Sequence, residues 1–141
     1  MAISTRRDVE LVYGKDNVAL WGNPDNIEDL AEVEARINWA NDYAEQEFLG
    51  RIAEGPYDPE EVRTTKPMMA VLICASLAGV HLYDTRRVID SDESTNRVAK
   101  QKKNVDRWIG QIMSGQLKLI DPLTYIALSK TAQNSPSVTT S

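Results

Sequence analysis

The feature that most constrains the fold is an uncharged stretch from Pro67 to Val80, inside the segment Lys66–Tyr83. Methionine, alanine and leucine dominate this segment, which favours a helix over a strand. A helix that is apolar on every side has to be covered on every side, and this one is shorter than the roughly 20 residues that span a bilayer. The stretch therefore predicts the central helix of a small bundle, with Pro67 in its first turn, where the missing N–H costs nothing.

Length and composition are those of one soluble domain. The chain has 141 residues, 42% of them hydrophobic and 26% charged, with a formal net charge of −5. The length suits a single core, and the negative charge argues mildly against nucleic acid as the main partner. Because the N-terminal residues lack the apolar segment of a signal peptide, we expect a protein that is cytoplasmic or assembled in a cytoplasm. A single cysteine, Cys74, excludes an internal disulfide, and its apolar neighbours predict an inert core residue.

Helix signals divide the rest of the chain. Thr5 with Asp8 three residues later predicts a capped first helix that ends near Gly14. A second long helix is predicted from Asp25 or Asn26 to about Leu49, because its apolar residues recur at spacings of three and four. That face consists of Leu30, Val33, Ile37, Ala40, Ala44 and Phe48.

Shorter elements and the last helix complete the predicted bundle. Single helical turns are predicted at Lys15–Trp21 and Pro59–Val62, and a polar loop at Ile89–Asn96. The last helix is predicted from Asn96 to Ser114. One of its faces is apolar, and its basic face consists of Lys100, Lys102, Lys103 and Arg107. The fold class is therefore all-α: a bundle of about four to five helices around a central apolar helix in residues 1–122, followed by an extended C-terminal tail in 123–141.

Charge is distributed unevenly along the chain. Between Asp25 and Glu61 there are twelve acidic residues and two basic ones, a net of −10. Between Arg97 and Lys118 there are six basic residues and one acidic one, a net of +5. Segments of opposite charge can attract each other within one subunit or between neighbouring copies.

No motif for catalysis, a cofactor or a metal stands out. The lone histidine, His81, has no recognisable nucleophile or triad pattern, so a structural histidine is predicted. The carboxylates of the second helix lack the spacing of a metal site, and the glycines form no phosphate loop. Trp39 lies off the main apolar face, where it would either anchor an interface or pack against the first helix; the pattern leaves both open.

The order of these elements, with the closing sequence Val105–Leu119, resembles a known family. The closing pattern is Trp-Ile, Ile and then Ser-Gly-x-Leu-x-Leu. With the apolar helix around Cys74, it is similar to the small head–tail connector (adaptor, or head-completion) proteins of tailed bacteriophages, in particular the phage Mu-like family. The resemblance covers roughly Thr5 to Ile120. The polar segment Ile89–Asn96 and the tail beyond Pro122 depart from the family pattern.

This resemblance implies a structural virion protein without enzymatic activity. Such proteins form a ring, usually of twelve copies, that joins the capsid portal to the next tail or stopper component and lets genomic DNA pass without sequence-specific binding. It implies a place at the head–tail interface of a virion assembled in the host cytoplasm, with no membrane partner. In the tail, Leu123, Tyr125, Ile126 and Leu128 are the expected contacts with the portal or a neighbouring copy. Trp39, Lys100, Lys102 and Lys103 are further interface candidates.

Two rival functions remain open at this stage. A small DNA-binding or packaging module would use the basic last helix and bind DNA with strong salt dependence. An enzyme would need His81 beside a carboxylate in a deep pocket.

Overall fold

A computed structural model of the protein describes residues 2–85 and 92–128. Within these ranges the chain forms six helices: α1 (Arg6–Tyr13), α2 (Lys15–Gly22), α3 (Leu30–Ile52), α4 (Pro59–Thr65), α5 (Met68–Thr85) and α6 (Asp92–Ser114). An isolated antiparallel bridge joins Ile120 and Ala127. The predicted all-α bundle around a central apolar helix is confirmed.

Helix α5 lies at the centre, as its lack of charge predicts. It packs against α1, α2, α3 and α6, and ten of its eighteen residues are buried, including every residue from 73 to 80. By length and composition α5 is long and apolar enough to cross a membrane, so the prediction that it is too short is wrong; the core helix of a soluble protein can have the same length and composition. Its neighbours in the bundle cover it here, and Cys74 is buried among them as predicted.

The first two helices begin and end where the sequence signals place them. The Thr5 side chain accepts a hydrogen bond from the Asp8 N–H while the Asp8 carboxylate accepts one from the Thr5 N–H, so the capping box is confirmed. Gly14, at a φ of 96°, separates α1 from α2. This φ favours glycine because it has no Cβ.

Helix α3 begins at Leu30, so the predicted start at Asp25 or Asn26 is wrong. Asn26 has a φ of 51°, which takes the backbone out of the helical region. The Asn23 side chain bonds to both the N–H and the carbonyl of Ile27, holding the segment in a turn. Asp29 then caps the helix by accepting from two backbone N–H groups.

Several other helix boundaries also differ from the predictions: α3 ends at Ile52, α4 at Thr65 and α5 at Thr85. Lys66 has a φ of 54° and ends α4, so α5 begins after Pro67, whose carbonyl accepts from the Val71 N–H at 3.0 Å. Helix α6 begins at Asp92, so the predicted start at Asn96 is wrong. The remainder of the predicted loop, residues 89–91, lies outside the described residues.

A polar junction fixes how α1 and α6 sit on α5. The Tyr13 hydroxyl donates to the Ser76 carbonyl at 2.7 Å, and the Gln101 amide donates to the Ser76 hydroxyl at 2.9 Å. The Arg97 guanidinium donates to the Tyr13 carbonyl at 2.9 Å. Gly79 lies directly under the Tyr13 ring: a Cβ there would fall 2.0 Å from the ring.

After α6 the chain turns back on itself in residues 119–128, here called the C-terminal hairpin. The Leu128 N–H donates to the Leu119 carbonyl at 2.7 Å, and the Leu119 N–H donates to the Tyr57 hydroxyl at 3.3 Å. Leu119 is fully buried and Leu128 is 7% exposed. The predicted boundary between bundle and tail at 122/123 therefore falls inside a structured turn, and residues 129–141 lie outside the described residues.

Two glycine substitutions test the packing of α5. Gly79→Ala should lower the free energy of unfolding by about 1–3 kcal/mol, because the new methyl group collides with the Tyr13 ring. Gly110→Ala is the matched control: its Cβ would meet nothing within 4 Å, so removing a helical glycine should raise stability by about 1 kcal/mol. Urea denaturation midpoints measure both. If both variants gain the same stability, Gly79 does not lie against the Tyr13 ring.

Candidate interaction surfaces

The end of the C-terminal hairpin presents three apolar side chains to solvent. Leu123, Tyr125 and Ile126, here called the hairpin tip, are 88%, 83% and 67% exposed. Single exposed apolar residues are common on protein surfaces, but three within four positions form a cluster. Such a cluster suits contact with another surface.

Hydrogen bonds within the turn hold the hairpin tip in place. The Asp121 carboxylate accepts from the Leu123 N–H at 2.8 Å, and the Asp121 carbonyl accepts from the Tyr125 N–H at 2.8 Å. The Ile126 carbonyl accepts from the Asp121 N–H at 2.9 Å. Tyr125 adopts a φ of 59°, which is uncommon for a residue with a side chain. The turn thus presents the apolar side chains on an internally bonded backbone.

Leu128 differs from the other three tail residues predicted to contact a partner. Its side chain is buried in the core of its own chain, so it holds the base of the hairpin and presents no surface. The prediction grouped it with the tip because all four are apolar and close in sequence. The pairing with Leu119, which separates their roles, is not visible from composition.

A second surface lies on α3, where Trp39 and Tyr43 are 51% and 48% exposed. Their ring centroids are 5.3 Å apart at an interplanar angle of 34°, and the His81 ring meets Tyr43 edge-on at 4.5 Å. We call Trp39 and Tyr43 the aromatic stripe. The exposure of Trp39 fits an interface role rather than core packing. Tyr43 was missed by sequence reasoning, although its spacing of four from Trp39 puts both on one face.

His81 lies beside a carboxylate, which is one of the two conditions for the enzyme hypothesis. Its Nε2 is 3.4 Å from Oε1 of Glu47, and this buried nitrogen makes no hydrogen bond within the described residues. A protonated imidazole would form an ion pair with Glu47. The other reactive side chain on α5, Cys74, is buried, and the loss of hydration, followed by the charge of Glu45, raises the pKa of its thiol. A thiol in that state is a poor nucleophile.

Helix α6 carries the predicted basic face in three of its four residues. Lys100, Lys103 and Arg107 lie along one side of the helix, whereas Lys102 lies about 160° around the axis from Lys100. All four are exposed, and none forms an ion pair within the described residues.

The neighbouring Asp106 pairs instead with Arg51 of α3 at 3.0 Å. Arg97 hydrogen-bonds to α1, so it contributes to the fold. Arg107 lies over the ring of Trp108, with its Cζ 6.0 Å from the ring centroid, and the exposed lysines can meet a negatively charged partner.

Part of the acidic charge on α3 and in the turn before it is neutralised within the chain. Glu34 pairs with Arg6 at 2.9 Å, and Asp25 and Glu32 pair with Arg36. The hydrogen bond from the Arg36 guanidinium lowers the pKa of the Asp25 carboxyl. Within residues 2–85 and 92–128, no group of three or more potential metal ligands comes together.

Stability measurements distinguish the tip of the hairpin from its base. Replacing both Leu123 and Ile126 by serine should change the free energy of unfolding by no more than about 0.5 kcal/mol, because both side chains are exposed. Leu128→Ala should lower it by about 2–5 kcal/mol, because this leucine is buried. Thermal and urea denaturation provide the comparison. A large loss for the tip variant would show that the tip packs on the bundle.

Comparison of the chain with protein-family models, with curated proteins and with solved structures finds no match. The family resemblance drawn from the closing sequence therefore stays a prediction, and function is inferred from the surfaces described above.

Proposed function

We propose that this protein is a structural virion protein of a tailed bacteriophage, which forms a ring between the capsid portal and the tail and extends the DNA channel. Its partners would be the portal protein, the next tail or stopper component and further copies of itself, in a ring of about twelve as the family resemblance implies. It would be located at the head–tail interface of a virion assembled in the host cytoplasm. It would act without catalysis and without a cofactor.

The observation that carries this proposal is the hairpin tip. Its three apolar side chains are exposed, yet the turn behind them is hydrogen-bonded internally and its base is buried in the bundle. A preorganised apolar projection loses little conformational entropy when it docks. That combination suits a protein that joins other proteins. We assign the tip to the contact with the portal.

The charge distribution supports the rest of the proposal. A net charge of −5 disfavours adhesion of DNA to the protein, which is what a channel wall requires. The basic face of α6 is confined to one helix, where a neighbouring copy with an acidic α3 can approach it. Both surfaces suit assembly between identical subunits.

Substitution of two hairpin-tip residues tests the proposed docking of the tip on the portal. A phage that carries Leu123→Ser with Ile126→Ser should accumulate DNA-filled heads without tails, because the apolar contact with the portal is lost. Leu11→Ser is the matched control, since Leu11 is 68% exposed on α1 and lies on a different element. Electron microscopy counts tailed and tailless particles, and binding of purified protein to portal rings gives the direct readout. Normal tail joining by the tip variant would overturn the assignment.

The C-terminal tail, residues 123–141, is predicted to act as an assembly arm, and its residues 129–141 lie outside the described residues. A deletion that begins at Leu123 would also remove Leu128, which belongs to the core, so it would disturb the bundle as well. Deletion of 129–141 alone spares the hairpin. We expect this shorter protein to keep its melting temperature and to fail in tail joining. If tails join normally, the segment is dispensable.

The exposed basic face also favours a second candidate, a small DNA-binding or packaging module. Unpaired lysines on one helix face are suited to phosphate contacts. In that case the purified protein should bind duplex DNA with an affinity that falls steeply as salt rises, and Lys100→Glu with Lys103→Glu should abolish the binding. Fluorescence anisotropy with labelled DNA measures it. A structural connector should show no such binding.

A further inference from the structure

We infer that the basic face of α6 in one copy docks on the aromatic stripe of α3 in a second copy. This contact rests on the proposed ring and names the surfaces that would join its neighbours. It pairs two surfaces that the fold leaves exposed: Trp39 and Tyr43 on one side, and Lys100, Lys103 and Arg107 on the other.

The aromatic stripe has the chemistry of a cation-binding surface. The faces of tryptophan and tyrosine rings attract lysine and arginine side chains, and both rings are about half exposed. Asp42 is exposed beside Tyr43, and Glu47 follows Tyr43 at the helical spacing of four. Carboxylates next to aromatic rings therefore combine charge attraction with a cation–π contact. Tryptophan and tyrosine are also the residues that most often dominate binding energy in protein interfaces.

The stripe is held in place before any partner arrives. Trp39 and Tyr43 lie one turn apart on a helix of 23 residues, their rings pack against each other, and the edge-on contact with His81 supports Tyr43. Side chains that are already ordered lose less rotamer entropy on binding. This gives His81 a positioning role, which accounts for its place beneath the stripe without any catalytic chemistry.

The basic face matches the stripe in arrangement as well as in charge. Lys100, Lys103 and Arg107 are spaced by three and four residues, so they lie along one side of α6. All three are exposed, and within the described part of the chain none is engaged in an ion pair. Two parallel rows of side chains, one on each helix, allow several cation–aromatic and cation–carboxylate contacts at once.

The two surfaces of one copy point in different directions. Ser76 faces α6, where Gln101 donates to its hydroxyl, whereas His81 faces α3 beneath Tyr43. Five residues separate these two positions on α5, which corresponds to about 140° around the helix axis. A copy therefore offers its stripe to one neighbour and its basic face to another. Such a head-to-tail contact generates a ring when its rotation closes.

The test uses variants of the full chain. The stripe variant is Trp39→Ala, and the basic-face variant is Lys100→Glu with Lys103→Glu. The matched control is Arg7→Glu with Lys15→Glu, which changes the net charge equally at exposed sites on α1 and α2. Sedimentation velocity over a concentration series, at low and at high salt, measures self-association. We expect wild type and control to associate at low salt, and each interface variant to bind roughly tenfold to thirtyfold more weakly.

A mixture of the two interface variants gives the decisive readout. The basic-face variant keeps an intact stripe and the stripe variant keeps an intact basic face, so together they should form a one-to-one dimer at concentrations where each variant alone stays monomeric. The contact is overturned if the mixture stays monomeric, if the interface variants associate as the control does, or if wild type does not associate.

The hairpin-tip variant separates this result from the proposed function. It should self-associate like wild type, because its stripe and basic face are unchanged, and yet fail to bind portal rings. If the mixed dimer does not form, while wild type binds portal rings and the tip variant fails to bind them, the stripe contact is refuted and the connector proposal stands.

Discussion

Burial of helix α5, which carries no charged residue from Met68 to Val80, is the constraint on which the rest of the structure depends. Its eight consecutive buried residues, 73–80, leave no side that tolerates water, so other helices have to surround it. Hydrophobic burial has no direction, and by itself it would allow these neighbours to slide. Gly79 and Ser76 supply the missing specificity: the glycine admits the Tyr13 ring, and the serine carbonyl and hydroxyl accept hydrogen bonds from α1 and α6.

The same constraint determines which surfaces remain for function. Helices α3 and α6 pack their apolar faces against α5, so their charged residues face outward, together with Trp39 and Tyr43 of α3. Pairing within the chain then removes part of the acidic charge, through Arg6 and Arg36, while the lysines of α6 keep theirs. Two amphipathic helices that cover one apolar helix both turn charged faces outward, and the sequence makes the outer face acidic on α3 and basic on α6. Such a contrast gives each copy two complementary sides.

Most of the fold was predictable because its strongest signals are local. The charge-free run, the capping box at Thr5 and the glycine at position 14 each act within a few residues, and each is confirmed. The start of α3 was missed because the side chain of Asn23 binds the backbone of Ile27, an interaction that periodicity does not report. The burial of Leu128 was missed for a similar reason: it depends on pairing with Leu119 across the turn.

The surfaces were only partly predictable, since exposure is a property of the assembled bundle. The lysines of α6 were identified because charge is visible in sequence, whereas Tyr43 became part of a surface only through its contacts with Trp39 and His81. The hairpin tip shows the principle most clearly. Its backbone is fixed by bonds within the turn and its base by Leu119 and Leu128, so the three apolar side chains add nothing to the core. Because burial would favour them and the chain's own core leaves them exposed, the free energy they can gain is available to a partner.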